Sequence, residues 1–288
     1  MQNNFLAALS LLVLLANGCS DKTSEQSALA TEAVATATET PAEPAALVTA
    51  PVPDAKSVLA DVYKQTVAKV SDSQLSDGRY VGYWNGQQYT LDGKNYFVAF
   101  TEATPPSEIE YPAPEDKVTI SQATYEFTDG QWQLKSVQAD VGQFGGNNKA
   151  PVANTAAKTA VFENARGKLF LAAAYVVLAN EGIQLSSREI FALSPESGKW
   201  KYLGSIDTGS DNSAGCSREA DSAIKTKCAS NTSTLEFSTI ENSNWPVLKV
   251  IREGTELDDK GNLIALSGKD SVTYRYEEKN SGYAKVSQ

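Results

Sequence analysis

The 288-residue sequence contains no histidine. Histidine is the commonest general base, a member of the usual catalytic triads and the commonest ligand of transition metals, so its absence excludes most sites of these kinds. Catalysis would have to rely on carboxylates, lysine, tyrosine, or serine with another base. No such constellation stands out, and we expect no catalytic residue, no metal and no cofactor.

Basic residues are also scarce, with 25 lysines and arginines against 35 acidic residues and a net charge of −10. Nucleic acids and anionic lipid surfaces are bound by clusters of lysine and arginine. The sequence has no such cluster, so the composition argues against both as ligands.

The apolar run at the N-terminus, Phe5–Leu15, is too short to cross a bilayer. A transmembrane helix needs about 20 apolar residues, and this run has about half that number. The small residues Ala16-Asn17-Gly18 follow the run and precede Cys19. This arrangement predicts an export signal over residues 1–18.

Small residues directly before a cysteine resemble the lipobox of bacterial lipoproteins. The resemblance implies cleavage before Cys19, a diacylglycerol with acyl chains such as palmitate on its thiol, and anchoring to the lipid bilayer. Ser20 stands where aspartate would mark inner-membrane retention, which implies the outer membrane, at its periplasmic face or at the cell surface. Ordinary secretory cleavage is the alternative, because Ala16 and Gly18 also satisfy the small-x-small rule.

Residues 19–57 connect the cysteine to the rest of the chain. The segment after Cys19 has no aromatic residue and is rich in Ala, Thr, Glu and Pro, so it cannot bury enough apolar surface to offset the entropy of ordering. We expect a disordered tether with an r.m.s. reach of about 30–37 Å. A globular domain is expected over residues 58–288.

The remaining cysteines, Cys216 and Cys228, enclose a short polar segment. In an exported protein these two are expected to form a disulfide, which leaves Cys19 for lipidation. A long excursion between strands often recognises a partner. We select five polar residues in and before this loop as candidate binding residues: Asp207, Asp211, Asn212, Arg218 and Lys225.

Hydrophobic periodicity predicts one helix and many strands. Apolar residues at helical spacing, with Ser57 as N-cap, predict an amphipathic helix over about 57–70 that packs on a sheet. The period then changes to two, and Asn85-Gly86 and Asp92-Gly93 predict two successive hairpins with type I′ turns. The apolar run Leu169–Ala179 predicts a strand that is buried on both faces.

These patterns predict a mainly β fold with one N-terminal helix, arranged as an antiparallel sandwich or an open, twisted meander. Three hairpins around Gly130, Gly198 and Gly282 each carry an aromatic residue shortly after the glycine. They hint at a duplicated β unit whose halves meet near 146–153. An α+β fold with two similar sheets, or a propeller-like fold, is the alternative.

Two sets of polar residues suggest weaker alternatives. Oxygen ligands for Ca²⁺ could come from Asp207, Asp211 and Asn212, or from Asp258, Asp259 and Asn262 around Gly261, but neither cluster matches an EF-hand loop and a polar turn has the same composition. Asp140 with Glu110 or Glu115 could form the carboxylate pair of a glycoside hydrolase, although nothing in the sequence shows that they meet. We predict neither site.

The sequence as a whole favours a non-catalytic binding or scaffold protein that is anchored in the cell envelope. Its partner would be an unidentified protein or a component of the cell wall, and the domain is expected to be a monomer. Two alternatives stay open: an inhibitor or immunity lipoprotein that blocks a toxin or a lytic enzyme, and a hydrolase that works without histidine.

Overall fold

The chain folds into two antiparallel β-sheets and a helix. The computed structural model describes residues 47–106, 112–154, 157–164, 167–178, 182–194, 196–216, 226–240 and 243–286. These residues belong to one compact unit, Pro44–Gln288. The signal peptide, Cys19 and the tether as far as residue 46 lie outside the described residues, so what we infer about them stays a prediction.

The first sheet has five described strands that follow one another in space in the same order as in the sequence. Each strand pairs antiparallel with the next. The strands are β1 (Ser73–Gln74), β2 (Tyr80–Leu91), β3 (Lys94–Thr104), β4 (Val118–Thr128) and β5 (Gln131–Phe144).

Two-residue turns connect β2 to β3 and β4 to β5. Asp92 and Gly93 join β2 to β3 with φ of 50° and 71°, and Leu91 pairs with Lys94 across the turn. Both central residues of a type I′ turn need positive φ, so the turn predicted here is confirmed. An Asp-Gly pair also connects β4 to β5 in the same way.

The turn predicted at Asn85-Gly86 is wrong, because both residues lie inside the continuous strand β2. A bulge interrupts the pairing between Tyr83 and Asn85. A Cβ on Gly86 would lie 2.5 Å from the Phe97 ring and would also meet the Tyr83 hydroxyl. The glycine is therefore required by close packing against two aromatic side chains, and not by a turn.

The second sheet contains the remaining described strands, again all antiparallel. Its order is β14-β13-β11-β10-β9-β8-β7-β6, with β12 paired to β11. The strands are β6 (Ala160–Glu163), β7 (Leu169–Leu178), β8 (Gln184–Ser194), β9 (Lys199–Asp211), β10 (Ser230–Ser238), β11 (Val247–Leu257), β12 (Leu263–Leu266), β13 (Ser271–Glu277) and β14 (Gly282–Lys285).

This second sheet curls strongly. Phe162 on β6 stacks on Phe237 on β10 with ring centroids 5.2 Å apart, although four strand spacings of a flat sheet would separate them by about 19 Å. At the other end, a Cβ on Gly282 of β14 would lie 2.6 Å from the carbonyl oxygen of Leu203 on β9. The sheet therefore closes into a half-barrel around its own apolar core.

The first half of strand β7, residues 169–173, lies between two apolar cores, as the sequence predicts. Leu169, Leu171 and Ala173 pack in the core between the two sheets. Phe170 and Ala172 pack in the core inside the half-barrel. Since both faces of residues 169–173 are covered, this part of the strand has no polar residue.

The described chain has one α-helix, α1 (Ala55–Tyr63), which covers the outer face of the first sheet. It begins earlier than predicted because Asp54, and not Ser57, is the N-cap: its Oδ1 accepts hydrogen bonds from the backbone N–H groups of Lys56 and Ser57 at 2.9 and 3.0 Å. It also ends earlier, because Lys64 adopts a left-handed conformation. The buried side chains are Val58, Leu59 and Val62.

The predicted mainly β, antiparallel fold is thus correct, and it takes the form of two packed meanders. The hairpins that look alike in sequence, β4–β5 and β8–β9, each contain two irregularities in register. Their tryptophans differ in position. Trp132 packs on Phe97 and Phe127 towards α1, whereas Trp200 is buried between the sheets. These aromatic residues belong to cores and cross-strand pairs.

Replacing Gly86 by alanine should lower the free energy of unfolding by about 1–3 kcal/mol, because the new methyl group has no space beside Phe97. Gly268→Ala is the matched control, since its Cβ would lie 3.4 Å from the nearest atom, a carboxylate oxygen of Glu253. The control should change stability by less than about 0.5 kcal/mol. Urea denaturation of both variants tests this, and equal effects would contradict our account of Gly86.

Candidate functional site

The predicted disulfide is present between Cys216 and Cys228, whose Cα atoms lie 5.0 Å apart. It closes the excursion that leaves the second sheet after β9 and returns at β10. The covalent bond holds the start and the end of this excursion together, so the chain on either side of it has a fixed position.

The five candidate binding residues have different locations. Asp207 and Asp211 lie on β9, and Asn212 follows that strand directly. Strand β9 therefore extends as far as Asp211, so two of the five candidates belong to a strand. Arg218 and Lys225 fall outside the described residues.

Asn212 fastens the chain after the disulfide to the end of β9. Its side chain is 8% exposed; Nδ2 donates to the carbonyl of Lys227 at 2.9 Å, and Oδ1 accepts from the backbone N–H of Ala229 at 2.7 Å. The backbone N–H of Asn212 also donates to the Ala229 carbonyl, at 3.1 Å. The amide group is thus engaged within the protein and positions the residues around it.

Asp211 makes a second set of hydrogen bonds at the place where the end of β9 meets the start of β10, which we call the joint. Its Oδ1 accepts from the backbone N–H of Ser213 at 2.6 Å, and its Oδ2 accepts from the Ser230 hydroxyl at 3.0 Å. Ser230 is the first residue of β10, so the carboxylate connects the end of one strand to the start of the next.

A cavity of about 600 Å³ lies between this joint and the β11–β12 hairpin. Its wall combines a carboxylate, an ammonium group, hydroxyl groups and an aliphatic side chain, which suits a ligand with both polar and apolar parts. The lining residues are Asp211, Ser213, Lys227, Cys228, Ala229, Ser230, Thr255 and Leu263.

The turn between β11 and β12 is held by Asp258. Its carboxylate accepts from the backbone N–H groups of Asn262 and Lys260 at 2.7 and 2.9 Å, and from Asn262 Nδ2 at 3.1 Å. The backbone and side chain of Asn262 hold the pKa of Asp258 below its usual value, and the charge of Lys227 contributes less. The Asp258 carboxylate oxygens, considered above as Ca²⁺ ligands, accept the hydrogen bonds that hold this turn. Among the described residues, no three His, Cys, Asp or Glu side chains are grouped around a common metal position.

Asp207 lies exposed within β9 and is not part of the cavity lining. It is close to Tyr274: burial raises the pKa of the Tyr274 hydroxyl, and the negative charge of Asp207 raises it further. The structure therefore brings Asp211 and Asn212 together at the joint and leaves Asp207 apart from them.

The carboxylates considered for glycoside hydrolysis lie on different elements. Asp140 is exposed on β5, and Glu115 is exposed in the turn before β4. Glu110 is outside the described residues. In the part of the chain that the structure describes, no hydrogen bond or ion pair joins Asp140 to Glu115.

Sequence reasoning missed Lys227 and strand β12. The segment 263–266, Leu-Ile-Ala-Leu, lies between Gly261 and Gly268. A short apolar run bounded by glycines is typical of a strand, so this signal was available. Nothing in the sequence marks Lys227, whose position depends on the disulfide beside it.

A second, smaller cavity of about 300 Å³ lies beside Glu102 on β3. The Glu102 carboxylate accepts from the backbone N–H of Ala150 at 3.2 Å. Burial raises the pKa of Glu102, and the negative charge of Asp72 on the same cavity wall raises it further. The sequence shows only an acid near the end of an apolar strand, so this position too was missed.

No protein-family model matches the chain, and no curated protein is significantly similar to it. Among the described helical residues, none form a segment of the length and hydrophobicity needed to span a bilayer.

Replacing Asn212 by alanine should lower the free energy of unfolding by about 1–3 kcal/mol, because the buried backbone N–H of Ala229 and the carbonyl of Lys227 lose their partners. Asn280→Ala is the control: this asparagine is exposed and bonds only Glu277 in its own turn. The control should change stability by less than about 0.5 kcal/mol. Thermal unfolding with the disulfide intact compares them, and a neutral Asn212→Ala would refute the fastening role.

Replacing Glu102 by glutamine should stabilise the protein at neutral pH. A folded-state pKa above the unfolded value means that stability is highest while the group is protonated and falls as pH rises through the folded-state pKa. The glutamine stays neutral, and its Oε1 can still accept from Ala150. The gain should therefore disappear at about pH 3.5, below the unfolded pKa.

Melting temperatures of both proteins across this pH range measure the difference. Glu115→Gln, at an exposed turn, is the control and should not reproduce the pH-dependent gain. A Glu102→Gln variant that is less stable than the native protein at neutral pH would contradict the prediction.

Proposed function

We propose that the chain is a non-catalytic binding lipoprotein of the cell envelope, anchored through Cys19 and binding its partner at the cavity beside the disulfide. The partner is a protein or a component of the cell wall. The outer membrane is the membrane that Ser20 favours, by resemblance to the sorting rule of lipoproteins. The tether then carries the β unit clear of the lipid surface.

The observation that carries the binding role is the way in which the cavity wall is built. The end of β9 and the start of β10 meet there and are joined by the disulfide, by Asp211 and by Asn212. Thr255 on β11 accepts a hydrogen bond from the backbone N–H of Ser230 at 3.1 Å, which connects the third strand. A site whose wall is already fixed loses little entropy when a ligand binds, which favours affinity. Lys227 and Leu263 stand at this wall with exposed side chains, so charge and apolar surface are both available to a ligand.

Cross-linking in intact cells tests the binding role. The native protein is compared with a double variant of the cavity, Lys227→Glu with Leu263→Asp, and with Lys199→Glu, an exposed lysine at the far end of β9. We expect partners that are captured by the native protein and the control but reduced about tenfold or more with the cavity variant. An unchanged set of partners in all three samples would refute the site.

Replacing Cys19 by serine should remove the acyl chains and release the protein from the membrane fraction, because several long acyl chains are what give stable anchoring. Intact mass and fractionation of the envelope measure both effects. Ser20→Ala is the control and should keep its acyl chains. If the native form carries no acyl mass, or if Cys19→Ser stays membrane-bound, the anchoring proposal is wrong.

A further inference from the structure

Among the described strands, none covers the outer edge of β12. It pairs with β11 alone among the described strands, from Leu257 and Leu263 to Gly254 and Leu266. Its side chains are unusually apolar for an edge: Leu263 is 46% exposed and Ile264 is 42% exposed. Edge strands are normally protected by lysine, proline or a bulge, and β12 has no charged residue and no proline.

The hydrogen-bond pattern shows which backbone groups face outwards. Asp258 N–H donates to the Asn262 carbonyl at 2.9 Å, so this pair is a hydrogen-bonded one. Hydrogen-bonded pairs alternate with non-hydrogen-bonded pairs along an antiparallel ladder. The pairs that Ile264 and Leu266 form with β11 are therefore hydrogen-bonded as well. The N–H and C=O groups of Leu263 and Ala265 therefore point to the uncovered edge.

The two faces of this hairpin differ in chemistry. Leu263 and Thr255 line the cavity of about 600 Å³ described above. Leu266 and Arg252, on the opposite face, line another cavity of about 690 Å³. Side chains of a strand alternate between faces, so a strand added at this edge would present alternate residues to the two cavities.

The cavity of about 690 Å³ contains two lysines, Lys269 and Lys285, that have no ion pair within the described part of the chain. The other charged side chains of this cavity have partners within the protein. Arg252 forms an ion pair with Glu256, and Asp270 accepts hydrogen bonds from the backbone N–H and the hydroxyl of Ser267 at 2.7 and 2.9 Å. A carboxylate on the residue that faces this side would thus find complementary charge.

A second copy of the chain fits this edge poorly. Stable interfaces use about 20–30 residues on each side, whereas β12 offers four, and each copy carries a net charge of −10. An extended peptide needs only backbone groups, a few apolar contacts and matching charge.

We infer that the uncovered edge of β12 binds an extended segment of a partner protein by strand addition, with aliphatic residues towards Leu263 and acidic residues towards Lys269 and Lys285. This inference rests on the proposed binding function and names the kind of ligand. Backbone hydrogen bonds to Leu263 and Ala265 hold the segment, and the alternation of its side chains gives the selectivity.

A short fluorescein-labelled peptide in which valine and glutamate alternate is the probe, with the full chain purified in detergent. Fluorescence anisotropy should show saturable binding. A peptide of alternating valine and lysine, and a valine–glutamate peptide with N-methyl groups on one strand edge, should bind at least about tenfold more weakly. No saturable binding of the valine–glutamate peptide up to about 1 mM would overturn the inference.

Ala265→Pro is the decisive variant, because it removes an N–H that β11 does not use and so should leave the fold intact. It should weaken binding of the valine–glutamate peptide at least about tenfold. If the proline variant fails to fold, Leu263→Lys takes its place and should weaken binding by the same factor. Lys269→Glu with Lys285→Glu should reverse the preference towards the valine–lysine peptide. Val161→Lys, on the edge strand β6, is the control and should bind normally.

Cross-linking in cells separates this inference from the proposed function. If Ala265→Pro keeps the partners that the cavity variant loses, and the valine–glutamate peptide binds native and Ala265→Pro protein alike, then strand addition is wrong while the binding function stands. If the native protein captures no partner that depends on the cavity, the proposed function itself fails.

Discussion

Trp200 joins the two sheets through its backbone and through its ring. Its backbone N–H and C=O pair with the side chain of Gln138 on β5 at 3.0 and 2.9 Å, and its indole N–H donates to the Thr124 hydroxyl at 3.2 Å. The ring meets Tyr89 and Phe100 edge to face. Because β9 carries Trp200 and also begins the joint to β10, this contact sets the position of everything built on the second sheet.

The second sheet has few backbone pairs at the joint between β9 and β10. β9 and β10 pair at only two positions, whereas β10 and β11 pair at eight. The sheet curls there, and the backbone bonds lost to the curl are replaced by the side chains of Asp211 and Asn212 and by the disulfide. Residues that a sequence marks as polar and exposed are therefore used to hold the fold. In the proposed site, the neighbouring residues Lys227 and Leu263 contact the ligand.

This division explains how far the sequence could predict the structure. Local rules were sufficient where local geometry decides, as at the Asp92-Gly93 turn and in the doubly buried start of β7. They failed at Gly86, where the constraint is the Phe97 ring of the next strand, and at the N-cap, where Asp54 competes with Ser57. The disulfide could be predicted from the number of cysteines and from the export signal that the N-terminal sequence predicts. The fastening role of Asn212 could not follow, because it depends on which backbone groups the curl leaves unpaired.

A short strand edge can bind a peptide only weakly, since a few backbone hydrogen bonds have to offset the loss of the peptide's own freedom. The proposed tether changes this balance. A flexible tether between Cys19 and the compact unit, which begins at Pro44, would confine the β unit to a thin shell above the membrane. A partner in the same membrane or wall layer would then meet the site at a higher effective concentration than a partner free in solution. Weak strand addition would be sufficient under those conditions and would remain reversible, which is consistent with the proposed binding of partners within one layer of the envelope.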